Sequence, residues 1–185
     1  MKRPILIIAL SICAFGVEAY LHEMAIAQQQ EITPSPDETS SLTFHDVYPV
    51  IRQKSKVSPE LPTFLPYTDK DNPAHAIIES IGESDYQIML AWVVPCAGGH
   101  DCLYGSIRGS DVPFTVAEGK SMPVTLVRGI KGKFIKSVCE INCTQAYVGW
   151  SDRGFYYSVG VKAGKKNDLV KMANSAIAAG QLEGK

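Results

Sequence analysis

Two hydrophobic periods divide this chain. From Ala76 to Val161 apolar residues recur at every second position, whereas around residues 44–51 and 169–177 they recur at three and four. Those spacings belong to strands and helices respectively. Tyr86, Ile88, Leu90, Trp92 and Val94 alternate with Met89, Ala91 and Val93, so the stretch is apolar on both faces. A strand of that kind belongs inside a sheet, not at its edge. Further strands are predicted at Ala76–Ile81, Leu103–Arg108, Val112–Val116, Val124–Arg128, Lys133–Val138, Gln145–Trp150 and Phe155–Val161. Two four-residue links ending in glycine, Gly129-Ile130-Lys131-Gly132 and Ser151-Asp152-Arg153-Gly154, are too short to join anything but antiparallel neighbours.

Helical spacing of Phe44, Val47, Tyr48 and Ile51 predicts a short amphipathic helix over 43–54, despite Pro49. A second helix closes the chain. Asn167 or Asp168 can cap it, Leu169, Ala173, Ala176 and Ile177 form its apolar stripe, and Gly180 stands where it should stop. Leu61-Pro62-Thr63-Phe64-Leu65-Pro66 is expected to be extended, because residues before proline avoid the α region, and it suits an edge strand. The predicted fold is α+β: an antiparallel meander of about six to eight strands, covered on one face by the C-terminal helix.

The first 27 residues stand apart from this pattern. Lys2 and Arg3 precede an uncharged apolar stretch, Pro4–Val17, and small residues mark cleavage sites after Ala19 and Ala27. That is the layout of a secretory signal. Its apolar run is shorter than the roughly 20 residues of a membrane span, so no transmembrane segment is expected after cleavage, for which Ala27 is the preferred site. An uncleaved anchor is the alternative. Ile12 before Cys13 is too bulky for a lipoprotein site. Residues 28–41 are polar, contain two prolines and read as a flexible spacer, which leaves 42–185 as a single folded domain.

Export changes how the cysteines are read. Cys96, Cys102, Cys139 and Cys143 remain after removal of the leader, an even number in a chain bound for an oxidising compartment. Three connectivities exist. Sequential pairing, 96 with 102 and 139 with 143, is the expected one because both pairs flank breaks between strands. A straight chain would hold positions 139 and 143 about 13 Å apart, beyond the ~7 Å reach of a bridge, so residues 140–142 must bend. Each such loop contributes only about 2 kcal/mol through loop entropy. The staples therefore shape loops more than they hold the domain together. Zinc is one competing reading, with His100 between Cys96 and Cys102, but the five-residue gap fits structural zinc poorly; free or redox-active thiols are the other, but a redox centre would be expected to show Cys-x-x-Cys, which is missing. No metal and no other cofactor is expected.

Composition narrows the function without naming it. A chain of 185 residues with net charge −1 and pI near 6.4 is not a dedicated nucleic-acid binder. No nucleotide-binding, zincin or nucleophile-elbow pattern is present. The neutral total conceals a division: residues 28–119 carry five Lys+Arg against thirteen Asp+Glu, and residues 120–171 carry ten against three. Arg128, Lys131, Lys133 and Lys136 follow one hairpin, and Lys162, Lys165 and Lys166 lead into the last helix. Together they form a candidate patch for an anionic partner. Tyr147 and Tyr156 fall on the sheet face away from the helix, a candidate ligand surface with His100 on its glycine-rich loop. His100 beside Asp101 is also the one place where a small envelope enzyme would be sought. No catalytic residue is assigned.

The segments Tyr147-Val148-Gly149-Trp150, Gly154-Phe155-Tyr156-Tyr157-Ser158-Val159-Gly160 and Leu169-Val170-Lys171-Met172-Ala173-Asn174-Ser175 carry a resemblance. They resemble the ending of uncharacterised secreted cyanobacterial proteins, as do Leu61-Pro62…Leu65-Pro66 and the paired-cysteine loop. More distantly they resemble a domain of unknown function at the extracytoplasmic end of some anti-sigma factors. The resemblance covers residues 61–179 and implies a sheet-and-helix module in an envelope protein, with no activity attached. Nothing in this sequence reads as the sigma-binding part or the mature transmembrane helix of such a factor, so that role is not expected to carry over. The expectation is an exported, periplasmic or secreted, non-enzymatic binding module with two local disulfides and an unidentified envelope or extracellular partner.

Overall fold

The alternating stretches pair into one sheet. The computed structural model describes residues 43–114 and 121–182 (side chains as far as Gly180). The predicted signal and spacer, and positions 115–116 of a predicted strand, lie outside the described residues. The strands are β1 (His75–Ile81), β2 (Asp85–Ala91), β3 (Leu103–Ser110), β4 (Ser121–Thr125), β5 (Lys131–Ile135), β6 (Gln145–Asp152) and β7 (Phe155–Lys162). All neighbours are antiparallel, in the order β1-β2-β3-β7-β6-β5-β4. Two short meanders are thus joined where β3 pairs with β7, and the chain between β3 and β4 crosses from the centre to the far edge.

Register explains the single core. Ile88, Ile107, Val159, Val148 and Phe134 are successive partners across five strands and all are buried. Directly opposite residues share a face. Against that face packs helix α2 (Lys166–Leu182), whose predicted stripe of Leu169, Ala173, Ala176 and Ile177 is fully buried along with Met172. Helix α1 (Val47–Lys54) packs beside β1 and buries Val47 and Ile51. It is shorter than the predicted 43–54. Pro49 is its third residue, where no intrahelical N–H bond is owed.

Several boundaries differ from expectation. β2 stops at Ala91 rather than Val94, because residues 92–95 bend out of the ladder into the loop closed by Cys96 and Cys102. Residues 111–114 leave the ladder after β3. The β4–β5 link falls at 126–130, where Arg128 and Gly129 both take positive φ, so Lys131 and Gly132 already belong to β5. Helix α2 begins at Lys166, which puts Asn167 and Asp168 inside its first turn instead of at its cap. It also runs past Gly180.

Leu61–Pro66 is not helical, in keeping with its prolines, but it is not an edge strand either: the chain bends at Thr63 and turns at Pro66. It belongs to a strap over residues 57–66 lying on the same sheet face as α2, with Val57, Leu61 and Leu65 in the core. Three prolines remove backbone donors, and side chains from the sheet and helix bond two of the remaining N–H groups and two of the carbonyls. The Tyr86 hydroxyl accepts from the Glu60 N–H (3.2 Å), and Ser175 Oγ accepts from the Phe64 N–H (3.1 Å). The hydroxyls of Tyr157 and Tyr104 donate to the carbonyls of Ser58 (3.0 Å) and Pro66 (2.5 Å). Burial raises the pKa of all three tyrosines, so each keeps the proton it donates or orients.

Candidate functional site

Antiparallel order gathers loops at the two ends of the sheet, and the end where β2 and β5 finish carries both disulfides. Cys96 is bonded to Cys102 and Cys139 to Cys143, with Cα separations of 5.7 and 4.0 Å. This is the sequential pairing. With all four sulfurs consumed in S–S bonds, none is left as a thiolate for zinc. Disulfides of this kind persist in oxidising spaces and are rare in the cytosol. No helix among the described residues is long and apolar enough to cross a membrane.

The first loop, residues 92–102, is folded on itself. Trp92 N–H donates to Cys102 O (2.9 Å), the N–H groups of Cys102 and Leu103 converge on Gly99 O, and Trp92 packs edge-on to Tyr104 at 4.6 Å. The second continues the β5–β6 hairpin. Ile135 pairs with Tyr147, and the bridge between Cys139 and Cys143 keeps the same register. Val138 and Thr144 exchange hydrogen bonds just inside the disulfide. Ile141 is therefore the apex, three residues beyond Thr144, whose carbonyl is tied to the end of β7 through the Ala163 N–H. Its side chain is 98% exposed, and Val138, Val93 and Val94 on the two loops are exposed as well.

Lysines stand behind these tips. Lys162 donates to the His100 carbonyl at 2.6 Å, linking the end of β7 to the first loop, while Lys136, Lys165 and Lys166 are exposed. The predicted basic patch is thus divided between the two sheet ends. Arg128 is at the other end, ion-paired to Asp152 at 2.7 Å, and Lys131 reaches Thr125 there. Lys133 sits midway along β5 opposite Gly149.

Tyr147 and Tyr156 do occupy the face away from α2, as the alternation predicts. Tyr147 is opposite Gly160 and Tyr156 is opposite Ser151, so their positions differ by four residues, about 13 Å along the strands. Two rings so far apart do not make one stacking platform. Burial raises the Tyr147 phenol pKa, partly offset by its hydrogen bond with Ser106 and by Arg108. His100 and Asp101 are both exposed on the first loop. Among the described residues neither side chain has a hydrogen-bonding or ion-pair partner, so no nucleophile–base unit is assembled around the imidazole.

At the opposite end lies a cluster that sequence reasoning missed. Glu60, from the strap, is completely buried. It accepts from Trp150 Nε1 (2.9 Å) and Arg153 Nη2 (2.6 Å), and Arg153 also donates to Gly180 O (3.2 Å). Arg153 and Gly154 form the two-residue β6–β7 turn with φ of 52° and 85°. Both values are required by a type I′ turn, and only the glycine adopts them without strain. A Cβ on Gly180 would lie 2.8 Å from Glu60 Cγ, so this glycine admits the carboxyl instead of ending the helix. Burial pushes the Glu60 pKa above its ordinary value, against the lowering effect of Arg153 and Trp150. An acid set between prolines in an apolar run, Pro59-Glu60-Leu61-Pro62, was the available signal. Every polar atom of the cluster is engaged within the fold, which makes it a tie between strap, hairpin and helix. The chain matches no family model, no curated protein and no solved structure.

Proposed function

We propose that this chain works outside the cytosol as a non-catalytic binding module, and that its contact surface is the end of the sheet bearing the two disulfides. The observation that carries this reading is Ile141, almost wholly exposed at the apex of a hairpin closed by its own disulfide. Leaving a large aliphatic side chain in water forgoes about 2 kcal/mol that burial would supply. The isolated fold gains nothing from the exposure, whereas a partner would. The staple fixes the shape of the tip, so ordering it costs little upon binding. The leader-like N-terminus, the oxidised cysteines and the resemblance to secreted cyanobacterial proteins support an exported location, periplasmic or extracellular.

Ile141→Ser tests the surface without touching the core. The substitution should leave the melting temperature unchanged within about one degree, since exposed substitutions rarely exceed ~0.5 kcal/mol. Retention of envelope components on the immobilised protein should fall about tenfold, the loss expected for one anchoring side chain. Equal retention by the wild type and the variant would remove this end of the sheet as the contact surface.

A further inference from the structure

We infer that the Cys139–Cys143 bond is a thiol–disulfide exchange site: a dithiol opens it reversibly, and the opening releases the tip that carries Ile141. The two bridges differ in what else holds their loops. In the first loop the N–H groups of Cys102 and Leu103 donate to Gly99 O, Trp92 packs on Tyr104, and Lys162 holds the His100 carbonyl. Those contacts do not depend on the sulfur bond. In the hairpin, the hydrogen bonds between Val138 and Thr144 are the last before the bend, and Cys139 and Cys143 face each other just beyond them. Glu140, Ile141 and Asn142 make no hydrogen bond among the described residues. Only the disulfide closes that bend.

Access points to the same bond. Of the four bonded cysteines only Cys139 is exposed, whereas Cys96, Cys102 and Cys143 are half-buried. Cys102 Sγ also lies 3.5 Å from the Gly99 carbonyl oxygen, whose partial negative charge opposes an approaching thiolate. Exchange requires a thiolate to reach a sulfur, so its rate follows access, and exposed disulfides are the labile ones. The step balances with a dithiol as the two-electron donor. One donor thiolate attacks Cys139 Sγ, the S–S bond breaks, and Cys143 leaves as a thiolate that takes up a proton. The second donor thiol then displaces Cys139 from the mixed disulfide. The donor ends oxidised to its own disulfide, and Cys139 and Cys143 end as thiols. Because the closed loop is so short, opening it costs the domain only about 4–8 °C in melting temperature. The larger effect falls on the tip, whose freed residues must be ordered again before Ile141 can make a contact. That last consequence rests on the binding reading above; the exchange itself does not.

Treating the native protein with dithiothreitol, quenching by alkylation at intervals and mapping the labelled peptides by mass tests this. Cys139 and Cys143 should be alkylated about tenfold faster than Cys96 and Cys102, and oxidised glutathione should re-form their bond. A glutamate-specific protease should cut after Glu140 about tenfold faster in the reduced hairpin than in the oxidised one. Equal alkylation of the two pairs, or earlier opening of Cys96–Cys102, would overturn the exchange site. Equal cleavage of the two forms would overturn the release of the tip. Cys139→Ser combined with Cys143→Ser should keep the domain folded and lower retention of envelope components several-fold. If Ile141→Ser leaves retention unchanged while Cys139 and Cys143 still open first, the binding reading falls and the exchange site stands. If Ile141→Ser lowers retention while the two pairs open together, the exchange site falls and the contact surface stands.

Discussion

Arg153→Met should lower the stability of the domain by about 3 kcal/mol at neutral pH, some 6–12 °C in melting temperature for a chain of this size. The Glu60 carboxyl is fully buried, and the variant takes away its only cationic partner among the described residues. What remains is a charge with the Trp150 indole N–H as its single side-chain donor. The loss falls at the low end of the range for broken buried pairs because the Arg153 side chain is itself 37% exposed. The pH dependence identifies the cause. Burial already raises the folded-state pKa of Glu60 above 4.5, and losing Arg153 raises it further. An acid with a raised folded pKa contributes its stability in full below the unfolded value and loses it as pH rises through the folded one. The variant's deficit should thus be small near pH 4 and grow toward pH 8. Glu60→Leu in the Arg153→Met background should recover part of the loss, since no buried charge is then left. A variant melting within two degrees of the wild type at neutral pH would show that the ion pair does not hold the strap to the hairpin.

Leu169→Ala should cost about 3 kcal/mol, measured as a lower urea midpoint with an unchanged slope. Leu169 is fully buried in the first half of α2 and packs near Gly164 and Val161 at the end of β7. The removed methyl groups leave a cavity between a helix and a sheet that backbone ladders hold in place, so little collapse is available. Ala178→Ser, on the exposed side of the same helix, should stay within about half a kcal/mol. Equal losses from the two substitutions would mean that α2 does not dock by its Leu169–Ile177 stripe.

How much of this the sequence reveals depends on how local the determining physics is. Alternation at Tyr86–Leu90 and Gln145–Trp150, the helical stripe from Leu169 to Ile177 and the short cysteine spacings are all decided within a dozen residues. Each reads correctly. The pairing of β3 with β7 joins Ile107 to Val159, and no local pattern distinguishes that partner from β4. The strap was misread for the same reason. Its non-helical course follows from its prolines, but its hydrogen-bond partners include tyrosines 26, 38 and 99 residues away. Gly180 looks like a helix stop until Glu60 is known to lie beneath it. In the candidate surface, the disulfides were legible. The exposure of Ile141 was not, because it depends on the hairpin register continuing past β5 to a bend centred on that residue.

The disulfides underlie both the shaped loops and the proposed extracytosolic setting. The intact mass of the protein recovered from its native compartment, taken before and after reduction and alkylation, tests them directly. Two bridges predict an oxidised mass lower by four hydrogens than the mature sequence, two per bond. Digestion should then yield Cys96 linked to Cys102 and Cys139 linked to Cys143. Four thiols open to alkylation without prior reduction would contradict the account.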